Sequence, residues 1–194
     1  MTVSPDLDRR FRAAAEAAEL IDAAYDLVDS PLGPLFVAAT TRGVCRIAYD
    51  AEPEQEEERL ARGFGLRVLR APRAVDSVRR ELADYFEGRR RRFDLAVDLR
   101  AGGEFGRAVL AELARVPFGE TTTYGTLAAR AGRPRAARAV GTVMNRNPIP
   151  IVLPCHRVVG STGKLVGYAG GLARKELLLE LEGARLATHS STSR

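Results

Sequence analysis

A chain of 194 residues with 45% apolar content is long enough to bury its own core, as one large domain or two small ones. Two cysteines (Cys45, Cys155) and two histidines (His156, His189) are too few for a disulfide framework or a zinc cluster. No run approaches the ~20 apolar residues of a membrane span, and the N-terminus "MTVSPDLDRR" lacks the apolar segment of a signal peptide, so a cytoplasmic chain with reduced thiols and no membrane partner is expected.

Residues 9–24 are alanine-rich and charged and fit an exposed helix, an extension with no assigned role. "YDLVDSPLGPLFVAATTRGVCRIAYD" then gives two or three short antiparallel strands broken by the turns "SPLG" and "TTRG". The acidic run "DAEPEQEEERL", Asp50 to Leu60, fits a loop or a solvated helix. In "RAVDSVRRELADYFEG" the residues Val75, Val78, Leu82, Tyr85 and Phe86 recur at helical spacing before a glycine stop at Gly88. The following "EGRRRR" run, 87–92, is either a solvated cluster or an extra set of phosphate contacts. "FDLAVDL", Phe93 to Leu99, has the composition of a further strand.

The pair Gly102-Gly103 marks a boundary. Beyond it Val109, Leu110, Leu113 and Val116 lie along one helical face that stops at Pro117. "TTYGTLAARAGRPRAARAVGTVMNRN" gives a short helix, a Gly-Arg-Pro turn at 132–134 and a basic second helix from about Arg135 to Asn145. This is the helix-turn-helix outline, whose second helix usually contacts DNA, although many proteins that bind no DNA contain it. "GLARKELLLELEG" is a last helix closed by Gly183, and a disordered tail is expected after it.

The net charge is +5, but its distribution says more. From Thr121 to Lys175 there is no acidic residue and there are nine cations: Arg130, Arg133, Arg135, Arg138, Arg146, Arg157, Lys164, Arg174 and Lys175. Such a stretch is either a solvated basic face or the footprint of a polyanion. Within it lies "LPCHRVVG". A cysteine is a nucleophile as its thiolate, and an imidazole can take the proton. Neighbours on a regular strand point to opposite faces, so Cys155 and His156 can cooperate only through irregular backbone or a bridging water. Pro148, Pro150 and Pro154 supply the irregularity. A carboxylate to orient His156 must come from Glu176, Glu180 or Glu182 on the last helix. Cys45, in strand-like "GVCRIAY", fits a buried small hydrophobe, and His189 a solvated bystander.

Residues 118–183 resemble the C-terminal domain of the O6-alkylguanine-DNA alkyltransferases, the methylated-DNA:protein-cysteine methyltransferases. "FGETTTYGTLA", "ARAVGTVMNRNPIPIVLPCHRVVGSTG", "GYAGGL" and "KELLLELEG" occur in that family's order and spacing. Residues 27–100 resemble its N-terminal domain more loosely. The resemblance implies an α/β (α+β) chain: an extension over 1–25, a small antiparallel-sheet, ribonuclease H-like domain over 26–102, a mostly helical, winged-helix-like domain with a helix-turn-helix over 103–186, and a tail over 187–194. It implies Cys155 as alkyl acceptor, His156 as base through water, Glu182 as its orienting carboxylate and Asn147 as the link from the helix-turn-helix to the active-site loop. Tyr124 would line the base pocket and help protonate the departing guanine, although it also fits a core or capping aromatic. Lys175 matches a pocket lysine, Arg138 an arginine that enters the duplex, and Ser161 a donor to the flipped base. Gly125 and Arg133 match DNA-contact positions. Ala169 stands where some members carry a serine, and Gly160 where some carry a bulkier residue, which together imply a roomier pocket. No metal and no cofactor are expected.

The implied partner is double-stranded DNA carrying O6-alkylguanine, with O4-alkylthymine open, met by a monomer whose cooperativity on DNA is also open. These roles make chemical sense: a stacked O6-alkyl group is reached in line only after the nucleotide is rotated out, and a cation filling the gap offsets part of the unstacking. The thioether product has no carbonyl for water to attack, so each molecule would act once. Three other readings compete: a lesion-binding relative that lacks transfer, a thiol hydrolase built on Cys155, His156 and Glu182, and a transcriptional regulator. The first is opposed by Cys155 itself, the second leaves the helix-turn-helix unexplained, and the third leaves the Cys-His-Glu set unexplained.

Overall fold

The computed structural model describes residues 20–100 and 103–184 together with Ser4, Asp6 and Arg10. Most of the helix expected over 9–24, and the tail over 187–194, lie outside the described residues. The chain divides into two compact units, Met1–Ala101 and Gly102–Arg194.

The first unit is a four-stranded sheet of β1 (Ala23–Val28), β2 (Leu35–Thr40), β3 (Gly43–Tyr49) and β4 (Val68–Arg70), in the order β3-β2-β1-β4. β1 starts inside the stretch read as an extension. The two antiparallel hairpins form at the expected turns: Ser30 caps "SPLG" through Gly33 O at 2.6 Å, and Gly43 closes "TTRG". Gly43 is required there, since at φ +131° a Cβ would meet Ala96 O at 2.2 Å. The sheet is not wholly antiparallel. β4 pairs parallel to β1, because the chain crosses back through helix α1 (Pro53–Phe64) rather than through a tight turn.

α1 is built from the acidic run, and it is not merely a solvated helix. Leu60 packs with Tyr25, Phe36 and Cys45, with the Tyr25 and Phe36 rings stacked at 4.8 Å. Glu56 is buried and takes Arg46 Nε at 2.6 Å and Nη2 at 2.9 Å, while Glu57 accepts from the Tyr25 hydroxyl. α2 (Asp76–Phe86) buries Val78, Leu82 and Tyr85, as its spacing predicts. The strand expected over Phe93 to Leu99 does not form; only the isolated bridge of Val97 to Val44 does. Its neighbour Asp98 is buried and turns to side-chain partners, Thr40 Oγ1 at 2.8 Å and Arg100 Nε at 2.9 Å. Arg89 and Arg90 of the "EGRRRR" run are held by Asp84, Glu81 and Asp94.

The second unit holds α3 (Glu104–Ala114), β5 (Thr122–Thr123), α4 (Tyr124–Arg130), α5 (Ala137–Asn145), β6 (Val158–Val159) and α6 (Leu172–Leu181). Val109, Leu110 and Leu113 of α3 pack with α4 and α5, whose buried residues are Leu127, Ala128, Val140 and Met144. α4 and α5 are joined by a turn in which Gly132 adopts φ +77° and Arg133 N reaches back to Ala128 O at 2.8 Å. The helix-turn-helix therefore rests on α3, with its charged residues outward. Among the described residues no helix is long and apolar enough to cross a membrane.

Removing one partner of a shielded ion pair leaves the other charge uncompensated. Glu56→Ala, which strips Arg46 of its carboxylate, is expected to destabilise the first unit by about 3 kcal/mol, read as a lower urea midpoint. A loss under about 1 kcal/mol would class the contact with ordinary surface pairs.

Candidate active site

The site grows out of the end of α5. After Asn145 the helix cannot continue through "NPIPIVLPC", where three prolines each forbid a helical hydrogen bond. Asn147, itself buried, organises the resulting loop: its Oδ1 accepts from Ile149 N at 3.1 Å, and its Nδ2 donates to Leu153 O at 2.7 Å and to Cys155 Sγ at 3.1 Å. Ile151, fully buried, sits at φ +74°. A β-branched residue rarely enters this region, at a cost of order 1–3 kcal/mol, and it persists only where its surroundings over-determine it. Here Leu153 N closes the turn on Ile149 O at 2.9 Å.

Cys155 opens a single 3-10 turn, Cys155–Arg157, so the Cys-His pair does not lie on a strand. Cys155 and His156 are both buried. The His156 ring turns to the end of α6, where Nε2 lies 2.9 Å from Glu182 Oε1. Its Nδ1 is buried without a protein hydrogen-bond partner. Of the three carboxylates left open by the sequence, Glu182 is the one that meets the imidazole; Glu176 and Glu180 are exposed. Glu182 follows the last residue of α6, and Gly183 at φ +65° ends the helix there, with Ala184 N returning to Leu179 O at 2.9 Å.

β6 continues from the turn and pairs parallel with β5, aligning Val158 with Thr122 and Val159 with Thr123. The residue after β5 is Tyr124, the first of α4, whose N-cap Thr123 accepts from Thr126 N at 3.1 Å. Tyr124 is partly buried, and its ring faces Gly141 of α5, where a Cβ would lie 3.9 Å from Cε1. Burial and the neighbouring Cys155 both push its hydroxyl pKa up, so it is a protonated donor at neutral pH.

Burial pushes the Cys155 thiol up to about 11, opposed by the Asn147 hydrogen bond, the Lys175 charge and a hydrogen bond with Tyr168. Lys175 is fully buried, and burial brings its ammonium down to about 8 against the pull of Cys155. Its Nζ donates to Val158 O at 2.6 Å and Val166 O at 2.8 Å, tying β6 to the far side of the 160–166 turn. Desolvation holds the His156 imidazole below its ordinary value, with Glu182 opposing and Arg157 and Lys175 assisting. For Glu182 burial acts upward, but hydrogen bonds from His156 and Arg157 outweigh it and hold the carboxyl at about 2.

Arg157 and Tyr168 carry weight that sequence reasoning did not assign them. Arg157, counted there among surface cations, is buried in the ion pair with Glu182, as Lys175 is buried among carbonyls. Tyr168 stood in the quoted "GYAGGL", which was its only signal. At Gly160 a Cβ would lie 3.3 Å from both Lys164 O and Val166 Cγ1, so this glycine lets the turn fold back closely, with Gly160 N on Lys164 O at 2.9 Å. The other expected residues lie at the surface. Gly125 and Arg138 are exposed on α4 and α5, Ser161 is exposed at the tip of the 160–164 turn, and Arg133 is exposed with its guanidinium 4.9 Å from the Phe105 ring centroid. Among the described residues no three His, Cys, Asp or Glu side chains are grouped as metal ligands.

Two family profiles match the chain: the DNA binding domain of 6-O-methylguanine DNA methyltransferase over residues 104–184, and its ribonuclease-like domain over 23–99. A methylated-DNA-protein-cysteine methyltransferase of Methanosarcina barkeri is 40% identical over 158 residues, spanning 81% of this chain and 96% of the relative. That of Mycolicibacterium paratuberculosis is 44% identical over 158 residues, with 81% and 91% covered. Among solved structures, Mycobacterium tuberculosis OGT in complex with DNA superposes with a TM-score of 0.73 at 39% identity, covering 82% of this chain and 92% of that one. Two profiles that together span most of the chain, relatives at 40% identity or more over four fifths of it, and the shared fold show that this chain belongs to the methylated-DNA-protein-cysteine methyltransferase family.

Proposed function

We propose that the chain repairs alkylated DNA by moving the alkyl group from O6 of guanine in duplex DNA onto Cys155 Sγ, once per molecule. The observation that carries the reading is the coupling within one unit of a buried thiol, held by Asn147, to a buried His156-Glu182 pair, behind an exposed basic helix-turn-helix. α5 and the turn before it present Arg138 and Arg133 to the phosphates and the duplex, and Gly125 on α4 allows close approach of the backbone. Arg138 takes the place of the rotated nucleotide, and Ser161 donates to the flipped base.

The chemistry then balances. The Cys155 proton passes through a water to His156 Nδ1, whose ring is oriented by Glu182 at Nε2. The Sγ–carbon bond forms as the carbon–O6 bond breaks, the departing guanine takes a proton from the Tyr124 hydroxyl, and the phenolate is reprotonated through solvent as His156 gives up the proton it took, so that the net transfer is thiol proton to guanine. Asn147 holds the thiol in place, and Lys175 stabilises developing thiolate charge while it ties the loop. The acting unit in this reading is a monomer. The thioether is inert to water, so the protein is consumed.

Incubation with a duplex carrying O6-methylguanine is expected to add one methyl to the intact mass, on the peptide containing Cys155, and Cys155→Ser to add none. A bound but unmodified wild-type protein would overturn transfer. Arg138→Ala is expected to slow repair of the duplex by about 10-fold or more, the scale of a lost contact near 1.4 kcal/mol, and reaction with free O6-benzylguanine by less than about 2-fold. Equal losses on both would count against a nucleotide-replacing role. Because the folded carboxyl of Glu182 lies at about 2 against an ordinary 4.5, it contributes stability that is fully present above pH 4.5 and lost as pH falls toward 2. Thermal scans across that window are expected to show a fall for the wild type that Glu182→Gln flattens.

A further inference from the structure

The carboxylate of Glu182 is met by more than the imidazole. Arg157 lies along its edge in a two-armed geometry, Nε to Oε2 at 2.8 Å and Nη2 to Oε1 at 2.7 Å, while its third nitrogen, Nη1, donates to Val116 O at 2.5 Å. Gly119 N adds a contact to Oε2 at 3.2 Å. The Glu182 side chain has no exposed surface and that of Arg157 is 7% exposed, so this pairing takes place away from water. Oε1 is therefore shared between Arg157 Nη2 and His156 Nε2.

We propose that Arg157 is a positioning residue for alkyl transfer: by gripping both oxygens of Glu182 it fixes the carboxylate so that Oε1, which also takes Arg157 Nη2, accepts a hydrogen bond from His156 Nε2, and this leaves Nδ1 as the bare nitrogen that receives the thiol proton. The proposal rests on the transfer reading above and assigns a role within it. Two consequences follow from the geometry. A carboxylate already neutralised by a guanidinium pulls less on the imidazole proton, so the pair rests as neutral His156 beside ionised Glu182, not as imidazolium and carboxylate. A neutral imidazole is a competent base; an imidazolium is not. The charged groups acting on His156 are Glu182, Arg157 and Lys175, two cations against one anion, and removing Arg157 leaves one against one. A guanidinium suits the task because its planar fork matches both carboxylate oxygens, whereas an ammonium would meet one.

The test is the pH dependence of single-turnover alkyl transfer from free O6-benzylguanine, which needs no DNA contact. In Arg157→Met the acid-side inflection is expected to move up by about one pH unit, so that the rate falls about 10-fold below wild type at pH values under both inflections and by about 3-fold or less above pH 8. Arg157→Lys is expected to restore the inflection in part. A uniform fall at all pH values, with the inflection unmoved, would make Arg157 merely structural and overturn the proposal. A second measurement needs no variant: in the wild-type protein labelled with 15N-histidine, the His156 ring at pH 7 is expected to show a protonated Nε2 and an unprotonated Nδ1. A protonated Nδ1 would overturn the proposal even if transfer proceeds, and a wild-type protein that transfers no benzyl group but shows the expected ring would instead sink the transfer reading.

Discussion

The second unit depends on one buried carboxylate. Glu182 stands at the end of α6, out of water, and an ionised group in that position is stable only if it is densely paired. Its partners come from separate segments: Gly119 from the turn after α3, and His156 and Arg157 from the turn that opens at Cys155. The desolvation that makes the charge costly also makes each of these bonds strong, since there is little solvent to screen them. The carboxylate thus joins the last helix to the reactive turn and to the segment that leads into β5 and Tyr124. Satisfying one charge assembles the site.

A second constraint is the shape of the loop between Asn147 and Cys155. Three prolines remove helical options, and the left-handed Ile151 bends the chain where an isoleucine is uncomfortable. Asn147 absorbs the strain by bonding the loop at both of its ends, Ile149 and Leu153, and it touches Cys155 Sγ with the same amide. The helix that faces solvent and the thiol proposed as the alkyl acceptor are therefore one short covalent path apart. Lys175 performs the matching service on the other side, with a cation spent on two carbonyls rather than on a ligand.

What could be read from the sequence was whatever depends on neighbours in the chain. The glycine stop at Gly183, the turn at Gly132, the spacing of Val109 and Leu113, and the proline-bounded cysteine are local patterns, and each appears where the residues place it. Contacts that join distant residues were hidden. Arg157 looked like one more surface cation because its partner lies 25 positions later. Glu56 looked solvated because the run around it is acidic, yet Arg46, ten residues before it, draws it into the sheet. The Phe93 to Leu99 segment has strand composition, but its backbone meets β3 only around Val44, through Ala96 O and Asp98 N, which makes one bridge and no ladder. The close approach of the Lys164 carbonyl to Gly160 was hidden as well. The family motifs bridged part of this gap, since they carry pairings such as His156 with Glu182 that composition and periodicity do not reveal.

The other thiol of the chain sets a limit of a different kind. Cys45 is sealed among Tyr25, Phe36 and Leu60, and burial together with the nearby Asp98 pushes it up to about 12, with none of the hydrogen-bonding side chains that surround Cys155. Of the two thiols, only that of Cys155 is set among polar side chains that can prepare it for an electrophile. In a population of such molecules the unreacted fraction falls by one copy for each event, without turnover and without a second slot to blur the count. The response is that of a titrant, not of a saturable catalyst: linear in the amount present, then abruptly exhausted, so that capacity is governed by how fast new chains are made.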